Sequence, residues 1–338
     1  MHLDALRDLL HARAFALGLA FGGVGVLVTG TLAVVSRRRL PDLAGILCVV
    51  AAWLAIRGAW GDTLANGQVL LSLGVLAVGG AVVVLVSQLS RAAAEHPLVV
   101  TAVTVTPGAV LLAHSAPLAG SGLSRTILAV ATVAIAVAIR DFDAIWGPRG
   151  APWLLFAVAA GGVYLAVPDT ELARALLGVA LPFALLSIPR PTSPIGPAGS
   201  AALAGLFTWV VVVGGRGRPG SVVGGLAVIG ILAAEPLGRR TIGSIVLGSR
   251  FRYDRNRDEW ITIAVMCAVA QFVIALYASR VVAHEDAAVS ALVILAPVAL
   301  IAILVSPMLY QDLRPNQQPR RRAHHRRPMP PHRLRLER

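Results

Sequence analysis

Lysine is absent from this chain: all 30 basic residues are arginine. That absence excludes a Walker A loop, whose lysine reaches the nucleotide phosphates. ATP-driven work within the chain is excluded with it, although a partner could supply it. Cysteine is nearly absent too. Cys48 and Cys267 each sit inside an apolar run with no companion at metal-ligand or redox spacing, so both read as small buried hydrophobes. Charge is also scarce. Charged residues make up 14% of the chain, where a water-soluble domain carries about 25%.

What remains is apolar. Hydrophobic residues are 57% of the sequence and the mean hydropathy is +0.75. They fall in blocks of about 17 to 23 residues, long enough as helix to cross a hydrocarbon core of about 30 Å. The expected fold is all-α: a polytopic integral membrane helical bundle with about eleven transmembrane helices, ten to twelve. Predicted spans are 14–35, 43–60, 68–88, 97–116, 126–140, 151–167, 171–188, 196–214, 220–236, 260–279 and 287–309. The segment 168–171, "PDTE", makes the sixth and seventh a tight hairpin or a single re-entrant element. In domain terms, 1–13 is a short N-terminal segment, 14–309 the bundle and 310–338 a basic tail. The first apolar stretch is too long for a signal-peptide core and runs into Ser36-Arg37-Arg38-Arg39, so it reads as a retained helix.

Arginine also orients the spans, because basic loops stay cytoplasmic. With the N-terminus outside, the inner segments hold 22 of the 30 arginines and the outer segments seven. A cell (inner) membrane location with a cytoplasmic C-terminus follows. Trp60, Trp146, Trp153 and Trp260 fall at span ends, where an amphipathic ring suits the headgroup level, whereas Trp53 and Trp209 lie deeper. Arg57 falls within the second span, near enough to its outer end to snorkel.

The loops leave little room for chemistry. The segment 115–124, "SAPLAGSGLS", is too short for a catalytic domain. Asp169 and Glu171 could pair as acid and base, but an Asp-Thr-Glu run at a helix start is also what N-capping requires. His284, Glu285 and Asp286 are consecutive, which rarely lets side chains converge on one metal. No carboxylate stands at mid-span. Glu235 lies one turn before Arg239, while Asp141 and Asp143 read as interfacial, so ion-coupled antiport is not expected. No catalytic residue, metal or cofactor is assigned.

Two inner elements are strongly basic. The loop 237–259 packs six arginines around an apolar middle and is expected along the inner leaflet, with Arg239, Arg240, Arg250 and Arg252 at anionic headgroups. Docking of a soluble protein partner is the alternative. The C-terminal tail has five prolines and no apolar period, so it should be disordered and bind acidic lipid. No aromatics interleave its charge, so no specific nucleic acid is expected.

The fourth span is interrupted by Pro107-Gly108. Proline removes a backbone donor, and the hydroxyls of Thr101, Thr104 and Thr106 can bond nearby carbonyls. Either the span kinks and Gly108 admits a neighbouring helix, or the helix is discontinuous and lines a binding cavity. Under the second reading the substrate-binding set is Thr104, Thr106, Pro107, Gly108 and Gln271, with Arg216 and Arg218 near phosphate. The functional expectation is a transporter or flippase-like carrier for a lipid-like, neutral or anionic substrate. The alternative is a noncatalytic membrane subunit of an envelope or secretion complex.

Overall fold

The structure is a computed structural model that describes residues 12–36, 42–61, 65–116, 122–146, 151–167, 170–187, 194–216, 218, 220–230, 232 and 260–281. Among these residues it is all-helical: α1 (Arg13–Ser36), α2 (Leu43–Trp60), α3 (Gly67–Leu89), α4 (Arg91–Glu95), α5 (Pro97–Ser115), α6 (Gly122–Trp146), α7 (Ala151–Ala166), α8 (Thr170–Ser187), α9 (Pro197–Gly214), α10 (Gly220–Gly230) and α11 (Trp260–Val281). Five of them, α1, α2, α3, α5 and α9, are long and apolar enough to cross a membrane. The expectations for 237–259, 287–309 and 310–338, including the lipid contacts of Arg239, Arg240, Arg250 and Arg252, lie outside the described residues.

Local chemistry sets several boundaries. Asn66 caps α3, its side chain accepting from the Val69 amide at 2.9 Å. Pro97 and Pro197 open α5 and α9, where a missing N–H costs nothing. Helices α7 and α8, which flank "PDTE", pack on each other, as either a hairpin or a re-entrant element would require.

Helix α9 is the axis of the molecule. Its sequence, "PAGSAALAGLFTWVVVVG", is apolar on every face, and a helix hydrophobic all round belongs in a core. It touches α2, α3, α5, α6 and α8, and nearly all its residues from Ala198 to Gly214 are buried. In lipid no hydrophobic gain draws helices together, so close van der Waals contact must do it, and small residues permit that. An added Cβ on Gly45 of α2 would lie 2.5 Å from the Gly199 Cα of α9, and one on Gly18 of α1 would lie 3.0 Å from the Gly178 Cα of α8. Aromatic rings tie the other flank. Trp153 stacks on Phe183 with centroids 4.9 Å apart, and Phe156 meets Phe207 edge-on at 4.7 Å, linking α7, α8 and α9.

Trp53 and Trp209 are buried as expected, and Trp60 is partly exposed. Trp153 lies at the start of α7 and is buried in that aromatic stack. Arg57 is exposed and lies over the Trp53 ring, 5.0 Å from its centroid.

Candidate functional site

The starts of α2, α5 and α9 meet the end of α6 at one pole of the bundle, while Ser72 of α3 and Ser115 of α5 meet at the other, with their hydroxyls 2.9 Å apart. This antiparallel threading is what alternate crossing requires. The first pole, the predicted inner end, holds the inter-helix contacts of Asp42, Asp143 and Arg140.

The start of α9 has no capping side chain of its own. Gly196 occupies the N-cap position at φ 78°, a left-handed conformation natural to glycine, and Pro197 has no amide to donate. The free amides around it are taken by carboxylates from two other helices. Asp143, in the last turn of α6, accepts from Ile195 at 2.9 Å and Gly196 at 2.8 Å, one oxygen for each. Asp42, before α2, accepts with Oδ1 from Ala198 at 2.6 Å and Gly199 at 3.4 Å. The Asp42 amide in turn donates to the Ile195 carbonyl at 3.2 Å. Every backbone N–H from 195 to 199 is therefore engaged. The two negative charges also sit at the positive end of the α9 dipole.

Both carboxyls stand outside the predicted spans 43–60 and 126–140. Burial pushes Asp143 up to about 6; its two amide bonds oppose this and the nearby Asp42 charge adds to it. Asp42 is also raised by burial, against its amides. Asp143, read from its sequence context as interfacial, is buried by its neighbours at that position. It is 6% exposed and grips the central helix.

Three further polar contacts bind helices together. Arg140 of α6 donates from Nη1 to the Pro97 carbonyl at 2.7 Å and to the Thr101 hydroxyl, fastening the first turn of α5. Thr132 of α6 and Thr208 of α9 join their buried hydroxyls at 2.7 Å. Gln271 of α11 donates from Nε2 to the Val228 carbonyl at 3.3 Å.

The sequence-derived site residues are not brought together. Helix α5 continues through Pro107, and Thr104 and Thr106 bond back to the Val100 and Ala102 carbonyls at 2.9 and 2.7 Å. Thr106 and Pro107 face outward, whereas Gly108 is buried against Leu76, whose nitrogen would lie 2.8 Å from an added Cβ. The helix is not broken at Pro107. Gln271 is on α11, which packs on α7 rather than on α5. Arg216 and Arg218 are exposed beyond the opposite end of α9, with Arg216 at φ 47°. Glu171 pairs with Arg174, which lies 5.7 Å from the Tyr164 ring centroid; Asp169 is outside the described residues. An open groove of about 580 Å³ on the outer face of α3 is lined by Gly67, Leu70, Leu71, Gly74, Val75 and Val78, with no polar side chain among them.

Sequence reasoning missed Asp42 and read Asp143 as interfacial without its role in holding α9. The available signal was in "PIGPAGS": a helix that opens on Gly-Pro, with no Ser, Thr, Asp or Asn at its N-cap, must find acceptors elsewhere. The sequence matches no protein-family model and no curated protein.

Proposed function

We propose that the chain is a multi-pass inner-membrane protein of about eleven spans, N-terminus outside and C-terminus cytoplasmic, acting as a noncatalytic membrane subunit of a larger envelope or secretion assembly. One observation carries this reading: α9 is enclosed by its neighbours, among them α2, α3, α5, α6 and α8, and fastened at its start by Asp42 and Asp143. Secondary transporters work by moving one bundle against another around a midplane site. A shared central helix instead holds its neighbours as one body. Such a body suits a fixed platform, with the arginine-rich loop 237–259 and the tail as its docking surface.

The test is purification of the tagged full chain from its native membrane. Deleting 311–338 should release co-purifying proteins while membrane levels hold; a chain that runs alone in both forms overturns the subunit reading. Topology is tested separately with reporter fusions at Gly217 and at the C-terminus, which should report opposite compartments.

The carrier reading retains one supporting observation, the buried Asp143 carboxyl, since a group able to gain and lose a proton below the surface can couple to transport. Reconstituted vesicles separate the two readings. Movement of a labelled lipid or small anion, abolished by Asp143→Asn, favours the carrier; none favours the subunit.

A further inference from the structure

We propose that Asp42 and Asp143 form a one-proton latch on the start of α9, closed when both carboxyls are ionised and loosened when Asp143 takes a proton. The inference holds for a subunit or a carrier.

The geometry engages both oxygens of Asp143: Oδ1 accepts from the Ile195 amide and Oδ2 from the Gly196 amide. A proton arriving from water removes the negative charge that strengthens both bonds. The oxygen that carries it becomes the weaker acceptor of the two, so its amide is held less tightly. Asp42 keeps hold of Ala198 and Gly199 on the next turn, so the helix start is slackened rather than freed.

The surroundings favour uptake of one proton. Asp143 is buried, and the Asp42 charge adds to the effect of burial; two carboxylates crowding one site disfavour double ionisation. Among the described residues, little opposes this. Helices α3 and α9 contain no titratable side chain. Helix α2 carries Cys48 and Arg57, and α7 carries Tyr164 towards its far end. On α6 itself, Arg140 is turned to Pro97 and Thr101 of α5 and is the charge that Asp141 faces; His96 stands exposed before α5. No described cation bonds Asp143. Among the described residues its hydrogen bonds come from backbone amides.

The test is amide hydrogen exchange of the peptide spanning 194–200, measured on the full chain in lipid nanodiscs and corrected for the intrinsic effect of pH. Exchange should rise roughly ten-fold as pH falls from about 7.5 to about 5, with a midpoint near about 6. Asp143→Asn should exchange fast and without pH dependence. Asp42→Asn should shift the midpoint to lower pH, because the neighbouring charge is gone. A wild-type protein with no step, or a midpoint unmoved by Asp42→Asn, overturns the latch. Should Asp143→Asn fail to fold, infrared titration of the wild type replaces it. A carboxylic-acid stretch that appears on acidification and moves with Asp42→Asn supports the latch, and its absence overturns it.

Discussion

Asp42 immediately precedes α2, yet its carboxylate caps α9: Oδ1 lies 2.6 Å from the Ala198 nitrogen and makes no side-chain bond to the first turn of α2. A capping residue normally serves the helix that follows it. Here the cap joins two helices far apart in the chain, so its loss should be felt as loss of packing as well as of helix stability.

Asp42→Ala should therefore destabilise the bundle by about 1–2 kcal/mol, the range for a lost N-cap. Asp42→Asn should cost less, because the amide oxygen can still accept from Ala198. Denaturant titration of the detergent-solubilised chain, followed by tryptophan fluorescence, ranks the three proteins. Equal stability of wild type and Asp42→Ala would show that water supplies the cap instead.

Gly196→Ala should be more harmful. The residue holds φ 78°, and an added Cβ would collide with the Asp42 carboxylate and lie 2.5 Å from the Asp42 nitrogen. Left-handed strain alone costs about 1 kcal/mol or more, and the collision also displaces the cap. Loss exceeding that of Asp42→Ala in the same titration is the expected result.

The helices were legible in the sequence because each carries its own signal. All ten predicted stretches that fall on described residues, from 14–35 to 260–279, contain helix, and α2 begins and ends where the apolar run does. The enclosing of α9 was less visible. Its apolar faces resemble those of any span, and only the burial of Ala198 through Gly214 distinguishes a core helix from a lipid-facing one. The carboxylate latch was not legible at all. Asp42 and Asp143 acquire meaning only when α2 and α6 converge on Gly196, and no local spacing encodes that meeting. Pro107 shows the converse: a conspicuous motif whose neighbours, the back-bonding threonines, let the helix continue.

Thr132 and Thr208 offer a measure of what a hydrogen bond contributes inside the bundle. Each hydroxyl is also within reach of its own helix, Thr132 of the Leu128 carbonyl at 2.6 Å and Thr208 of that of Ala204 at 2.8 Å; with one proton apiece, whichever donates across the interface gives up its back-bond. A double-mutant cycle with valine at each position should give a coupling of about 0.6 kcal/mol, the usual size for such pairs in membrane proteins. A coupling indistinguishable from zero would mean that the back-bonds carry both hydroxyls.

Pro107 and Gly108 should respond oppositely to alanine, although they are adjacent. Pro107 faces outward, and Pro107→Ala restores a backbone donor to a helix that already runs through the position. That change should be neutral or mildly stabilising. Gly108 is buried, and an added Cβ would come within 2.8 Å of the Leu76 nitrogen and of Leu76 Cγ, so backbone as well as side chain must yield. Gly108→Ala should push α5 away from α3 and cost about 1–3 kcal/mol, the range for overpacking a tight contact. Unfolding of the two single variants in the same lipid or detergent decides the matter. If Pro107→Ala proves the more damaging, the proline itself positions α5 and the glycine contact is secondary; if Gly108→Ala does, the contact with Leu76 sets the packing of α5 on α3.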